Sequence, residues 1–577
     1  MTSMRHAPSL LFILALGLLA CAPTRPQTTA SSAPTRPVQS ASRTLVMLAR
    51  QEPTTLSATL LIALGIGENA TRRPFNAALA MLDGEERPVP YLAEALPQLD
   101  TDTWRVSPDG TMETTYHLRP GLTWHDGAPL TATDFVFARQ VYTSPEFGTA
   151  TSPPHTLMAE VRAQDDRTVV IEWRGLYAGA GSLVGLGGAG ASPSFAPLPS
   201  HLLTDAFTQD SKGFVNLTFW TVGYVGAGPY RLANWEPGAS IDGVAFDGHA
   251  LGRPKIDRIR MLFSSDPNTA LSTLLAGDAQ MAIDDSIGLD QGVALQQDWA
   301  PQQEGTVLYV PAIARYIRVQ LRPEYAKPAA LLDPAMRMAL AYTIDKPAIN
   351  ESVFYGAALL SDSMLPPNIA AEAGANTGIP TYPHDPARAA QILRDAGYAK
   401  DADGFYSSAT EGRLDFELKN ITSPRNDAER TVLANGWRQI GLQIDEANFR
   451  PGEAQDGQAL STFRSLTPTG GVTDESRFLY FLSTNITSPV NNWVGSNRGG
   501  WSNAEFDRII AQWSRTLAAD QRTLQLVQAA TIVNQELPAI PLYYAPSAVA
   551  YAAALQGIAA KDSGDTPDWN MYEWELR

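Results

Sequence analysis

His125-Asp126 places an imidazole beside a carboxylate, the pair that acid–base catalysis or metal ligation would use. Its setting argues for a structural turn instead. Asp126-Gly127 is a turn dipeptide, and Trp124 stands ready to pack beneath it. The chain has seven histidines, and none forms H-E-x-x-H. Gly185-Leu186-Gly187-Gly188-Ala189-Gly190 fits G-x-G-x-x-G, but Pro193, Pro197 and Pro199 follow where a nucleotide-binding helix would have to begin. A loop is expected there. The sequence holds no G-x-x-x-x-G-K, G-x-S-x-G or C-x-x-C. Its acidic residues are too many for any two to stand out as a glycosidase pair. The single cysteine, Cys21, excludes an intrachain disulfide and a thiolate-cluster metal site. No catalytic residue, metal or cofactor is therefore expected.

The elements that would hold these residues are of mixed type. Thr114, Tyr116 and Leu118 alternate with more polar neighbours, as a half-buried strand requires. Pro120-Gly121 and Asp126-Gly127 turn the chain. Thr131 with Asp134 then reads as a capping box, followed by the apolar stripe Phe135, Ala138 and Val141. Ser502 with Glu505 predicts a second capping box, opening a helix over Ser502–Ala518 that carries Phe506, Ile509, Ile510 and Trp513. Asp520–Leu537 reads as another helix, stopped by Pro538. Asp266-Pro267-Asn268 starts one that Gly277 closes. Strands are expected over Thr168–Trp173, Thr306–Val310, Tyr316–Leu321 and Asp415–Lys419. Strands alternating with helices predict an α/β body.

The N-terminus addresses the chain. Leu10–Ala20 is an unbroken apolar run, too short for a bilayer span of ~20 residues but suited to a signal-peptide core. It ends in Leu18-Leu19-Ala20-Cys21, which resembles a bacterial lipoprotein signal with Cys21 as the lipidated residue. The alternative is an ordinary cleaved signal with an incidental cysteine. Residues 21–43 are rich in Pro, Ser, Thr and Ala without apolar periodicity, and read as a flexible tether. The remaining body is long enough for roughly three domains. A net charge of −17 makes nucleic acid an unsuitable partner.

Tyr116–Ala138, YHLRPGLTWHDGAPLTATDFVFA, resembles a segment of the extracytoplasmic solute-binding proteins of ABC importers, the dipeptide- and oligopeptide-binding family 5. That segment runs strand, R-P-G, W-H-D-G, P-L-T-A. Further blocks follow in the family's order: Val225–Leu232 (VGAGPYRL), Asn234–Gly238 (NWEPG), Gly252–Phe263 (GRPKIDRIRMLF), Asp333–Asp345 (DPAMRMALAYTID), Tyr382–Tyr398 (YPHDPARAAQILRDAGY) and Leu537–Tyr544 (LPAIPLYY). The resemblance spans about residues 45–577. It implies a two-lobed periplasmic-binding-protein-like α/β fold with hinged lobes, a ligand cleft between them and an extra domain in the first lobe. The expected divisions are a signal peptide over 1–20, the tether over 21–43, a first lobe from 44–79, 203–314 and 546–577, the inserted domain over 80–202, and a second lobe over 315–545.

Peptide-binding members hold the peptide's ammonium group with an aspartate in a T-G-D-N-x-D-P-D-N-F type segment. Here that run is Thr469-Gly470-Gly471-Val472-Thr473-Asp474-Glu475-Ser476-Arg477-Phe478, so the aspartate's place falls on Gly471. A buried ammonium without a countercharge is costly. Either Asp474 substitutes, or the ligand lacks an α-ammonium group. The candidate ligand-binding residues are Trp220, Tyr224, Arg464, Gly470, Gly471, Asp474 and Trp493. The aromatic ones offer stacking or simply packing, and Arg464 offers a carboxylate partner or an exposed charge. The expected function is capture of a peptide-like or other small solute, a sugar and a metal chelate included. Delivery would be to the permease and ATPase of an importer, by a lipid-anchored monomer on the outer face of a bacterial membrane. The alternatives are a binding protein that signals instead of transporting, and a secreted α/β hydrolase.

Overall fold

The computed structural model describes residues 43–59, 69–146, 153–186, 194–374, 377–561 and 567–577. The apolar run Leu10–Ala20, Cys21 and all of the tether except Arg43 lie outside the described residues, as do 187–190 of the glycine run. Two long strands carry the architecture. Gly305–Val319 and Ala539–Ala552 pair antiparallel from Gly305↔Ala552 to Arg318↔Ala539. The sequence suggests two strands here, Thr306–Val310 and Tyr316–Leu321. The structure makes one. Pro311 stands opposite Pro546 next to a register shift, where neither residue is asked for a ladder hydrogen bond.

Two groups of strands attach to this pair at opposite ends. Met281–Ala282 pairs with Tyr551 and Ala550, and Thr44–Ala49 lies parallel between it and Arg258–Phe263. Ser240–Ala245 and Tyr230–Glu236 complete that side. On the other side Leu466–Gly471 pairs with Ala314–Val319, followed by Asp415–Ile421 and Gln443–Phe449. With Leu359–Leu360 on Tyr544 and Tyr543, the sheet has eleven strands. Between the two attachments, over Leu308–Ile313, it is only two strands wide.

Each side buries apolar residues on both faces, as a sheet covered twice must. One side packs Met47, Tyr230, Ile259 and Trp574 on one face and Leu274, Leu295 and Trp299 on the other. The other side packs Ile317, Leu418, Trp437 and Tyr543 against one face, and Tyr316, Phe478, Trp501 and Phe506 against the opposite one. A separate four-stranded antiparallel sheet (Trp104–Val106, Met112–His117, Thr168–Trp173, Met158–Asp165) has its own core with Phe135, Tyr142 and Phe195.

Local signals hold where the chain satisfies its own backbone. Thr131 and Asp134 make both bonds of the capping box on helix Ala132–Tyr142. Trp124, 2% exposed, donates its indole N–H to Asp134 at 3.1 Å. His125 accepts from Gly226 N–H at Nδ1 and meets the Gly228 carbonyl with Nε2, so the His125-Asp126 pair is part of a turn. The helix expected over Ser502–Ala518 is shorter, Ala504–Trp513. Asn503, not Ser502, caps it, accepting from the amides of Glu505 and Phe506. It ends early because the Arg522 guanidinium takes the Trp513 carbonyl at 2.9 Å. Helix Ala519–Glu536 ends at Leu537, in the left-handed region with φ 48°, directly before Pro538. Among the described residues no helix is long and apolar enough to cross a membrane.

Candidate functional site

The site is built on the strand Leu466–Gly471 and its partner. In their register Ala314 faces Gly471, Tyr316 faces Thr469 and Arg318 faces Thr467. Side chains alternate across a strand, so these six share one face of the sheet. Gly471 leaves a gap there. A Cβ at that position would lie 3.4 Å from Tyr480 Cε2 and 3.8 Å from Tyr316 Cε1, ordinary contact distances. Gly470 differs, since a Cβ there would come within 2.5 Å of Ile313 Cγ2. It points to the opposite face and serves close packing.

Beyond Gly471 the chain enters the short 3-10 helix Glu475–Phe481, capped by Asp474. The Asp474 carboxylate accepts from the Ser476 amide at 2.9 Å and from the Ser476 hydroxyl. Burial pushes its pKa up, against these hydrogen bonds and the nearby Arg477, and Glu86 from the other side of the molecule pushes it up further. Glu475 pairs with Arg522 at 2.6 Å, and both act electrostatically on Tyr177. Glu86 and Tyr177, from the other side of the molecule, are thus close enough to Asp474, Glu475 and Arg522 to act on them electrostatically. Arg477, 3% exposed, donates to the Tyr544 hydroxyl at 2.7 Å and lies over its ring at 5.3 Å.

The other sequence candidates are held elsewhere by partners of their own. Trp220 is buried, with its indole N–H on the Phe214 carbonyl at 2.6 Å and edge contacts to Phe214 and Phe219. Tyr224 donates to Asn76 at 2.5 Å. Arg464 pairs with Asp415 at 2.5 Å and takes its carbonyl at 3.1 Å. Trp493 is half-buried with φ 61°, and its carbonyl is 2.7 Å from where a Cβ on Gly457 would stand. Of the seven, the structure brings Gly470, Gly471 and Asp474 together. Sequence reasoning missed Tyr316, Arg318, Tyr480 and Arg498, which line the Gly471 face and its continuation. The alternation of Tyr316 and Arg318 along their strand is the one signal that pointed there.

Two further features bear on chemistry. A cavity of about 50 Å³ lies between the Ala80–Leu82 segment, Val184–Leu186 and Asp568–Tyr572, well away from Gly471. It has room for a water or two. Among the described residues no group of three or more His, Cys, Asp or Glu side chains could hold a metal ion.

Known proteins resemble this chain over most of its length. The profile described as "Bacterial extracellular solute-binding proteins, family 5 Middle" matches residues 94–488. Heme-binding protein A of Haemophilus influenzae is 25% identical over 542 residues, covering 89% of each chain. The dipeptide-binding protein of Escherichia coli is 25% identical over 491 residues, covering 78% of this chain and 80% of its own. The structure of HbpA2 from Haemophilus parasuis superposes with a TM-score of 0.71 at 19% identity, over 92% of this chain and all of that one. The fold is accordingly the two-lobed α/β fold of periplasmic binding proteins. The family match spans more than half of the chain, and its members bind solutes and are not enzymes: the protein belongs to the bacterial extracellular solute-binding proteins of family 5.

Proposed function

We propose that this protein captures a small, peptide-like solute outside the cytoplasmic membrane and hands it to the permease of an ABC importer. Lipid on Cys21 would hold it at the membrane through the 21–43 tether, and it would act as a monomer. The observation that carries the reading is the two-strand waist of the sheet at Leu308–Ile313. It is a natural pivot between two separately cored halves. We place the lobe boundaries at its second-lobe edge, at 314/315 and 545/546, and the inserted domain at 80–202, the region around the four-stranded sheet. Solute would lie between the lobes, over the face that carries Tyr316, Gly471 and Tyr480, with Asp474 at its rim. We keep Trp493 and Arg464 as contacts further out on the second lobe, and Trp220 and Tyr224 as supports of the first-lobe wall.

Relatives are named for heme, dipeptides and glutathione, so the family scaffold serves chemically different solutes. Gly471 favours one without a free α-ammonium group. Native mass spectrometry of protein purified without refolding should reveal a bound solute. Adding that solute back to stripped protein should raise Tm with concentration. A protein that emerges empty and is stabilised by no component of a periplasmic extract would defeat the proposal. For the anchor, Cys21→Ser should release the protein from membranes. Retention and acylation of that variant would exclude Cys21 as the lipid site.

A further inference from the structure

Among the described residues, Arg318 and Arg498 act on one another with no carboxylate paired to either. Arg318 leaves its strand on the Tyr316 face, and among the described residues that tyrosine is its one side-chain hydrogen-bond partner. Nη2 donates to the phenol oxygen at 3.3 Å, and Cζ lies 5.9 Å from the ring centroid. The segment following Asn497 lays Gly499, the neighbour of Arg498, along that strand. Leu321 N–H donates to the Gly499 carbonyl at 2.8 Å. A Cβ on Gly499 would sit 2.5 Å from the Val319 carbonyl and 3.5 Å from Arg318 Cγ, so a glycine is what lets this segment lie on the strand. Both arginines are half-buried, and among the described residues neither makes an ion pair. Burial first, and then the charge of Arg318, hold the Arg498 guanidinium below the usual arginine range. Thr467, the cross-strand partner of Arg318, is 5% exposed, and its hydroxyl has no hydrogen-bond partner among the described residues.

Two adjacent, half-buried cations repel one another, and the low local dielectric strengthens that repulsion. The chain has acids in excess, 60 against 43 basic residues, yet among the described residues none pairs with either arginine. The arrangement continues into the gap at Gly471 through the shared Tyr316 ring. We infer that Arg318 and Arg498 form an oxyanion subsite in the solute cleft, so that the captured solute presents a carboxylate or phosphate to them. Guanidinium forks suit both groups, donating paired N–H bonds to two oxygens. The polarity of the site is then the reverse of an ammonium-anchored one: no acid at Gly471, and two bases beyond Tyr316, with Arg318 two same-face positions further along the strand. This inference rests on the cleft assignment proposed above.

The test uses thermal shift and calorimetry on the stripped full-length protein, at constant ionic strength, with inorganic phosphate and with N-acetylalanine against its amide. A carboxylate-bearing solute predicts a response to N-acetylalanine and none to the amide; a phosphate-bearing one predicts the response to phosphate. In either case Arg318→Gln and Arg498→Gln should each weaken the responding anion by ~10-fold or more, as loss of a charge-assisted bond requires. Without anion, each variant should melt at a higher temperature than the parent, because a like-charge contact is relieved. A role confined to packing would lower it. No response to either anion, or a response that both variants keep, overturns the subsite. Compaction on rebinding the copurified solute tests the cleft separately: if the protein compacts while the arginine variants bind unchanged, the subsite fails and the cleft stands.

Discussion

Gly471 and Glu429 show opposite uses of a single side chain. At Gly471 a Cβ meets only ordinary contacts, so Gly471→Asp should fold normally and place a carboxylate between Tyr316 and Tyr480. Binding of plain dipeptides should tighten by ~10-fold or more, the worth of a charged hydrogen bond, as read by calorimetry. Unchanged or weaker peptide binding would mean that the ammonium is not seated there. Glu429, by contrast, is fully committed. It accepts from Arg315 and from the Tyr543 hydroxyl, and is 1% exposed. Glu429→Ala strands a buried guanidinium and should cost ~3–5 kcal/mol in chemical denaturation, with Glu429→Gln costing less. Gly471 was legible because it departs from a motif. Arg318 and Arg498 were not, since they lie far apart in the sequence and a single arginine near the end of a strand looks like any solvated residue. Only the return of the segment after Asn497 puts them together. For Trp220 and Tyr224 the sequence left stacking and packing equally open, and the Phe214 carbonyl and Asn76 show where their polar ends are satisfied.

Elements written in local code were the readable ones. The capping box at Thr131 and Asp134, the proline-led helix Pro267–Leu275 and the stop at Pro538 all follow from residues within one turn of the helix end. The errors arose where a distant group decides. Arg522 truncates helix Ala504–Trp513, and pairing with Ala539–Ala552 fuses two apparent strands into one. Asp134 shows how far a cap can reach. Besides the Thr131 amide it accepts from the Trp124 indole, and from the Ser200 amide at 3.0 Å and hydroxyl at 2.7 Å. It thus joins the turn at Trp124, its own helix and helix Ser200–Gln209. Asp134→Ala leaves several buried donors unmet and should lower stability by ~2–4 kcal/mol, well above the ~1 kcal/mol of an ordinary cap. A loss no larger than that of Asn503→Ala in parallel denaturation curves would show that the extra bonds count for little.

For the molecule as a whole, two responses follow. Solute should draw the lobes together, so the radius of gyration from X-ray scattering should fall on binding; tight binding without compaction would contradict the pivot. Acid should loosen the fold before the carboxylates titrate. Burial holds His125, His155 and His249 at about 4, against an ordinary 6.5. As pH falls through 6.5 the unfolded chain takes up protons that the folded one refuses. Stability is therefore full above 6.5 and drains toward pH 4, by on the order of 3 kcal/mol per histidine at most. Tm should already drop between pH 6.5 and 5, and a flat profile there would rule this out. The waist of the sheet has one more property. Pro311 and Pro546 face each other in it, and neither carries an amide hydrogen. Bending at that point breaks no backbone bond between those two residues, so the lobes can swing without unzipping the strands on either side. Deuterium-exchange labelling has nothing to report at the two prolines themselves. Any slowing caused by solute must be sought one step away, at Val310, Ile313, Ala545 and Ser547.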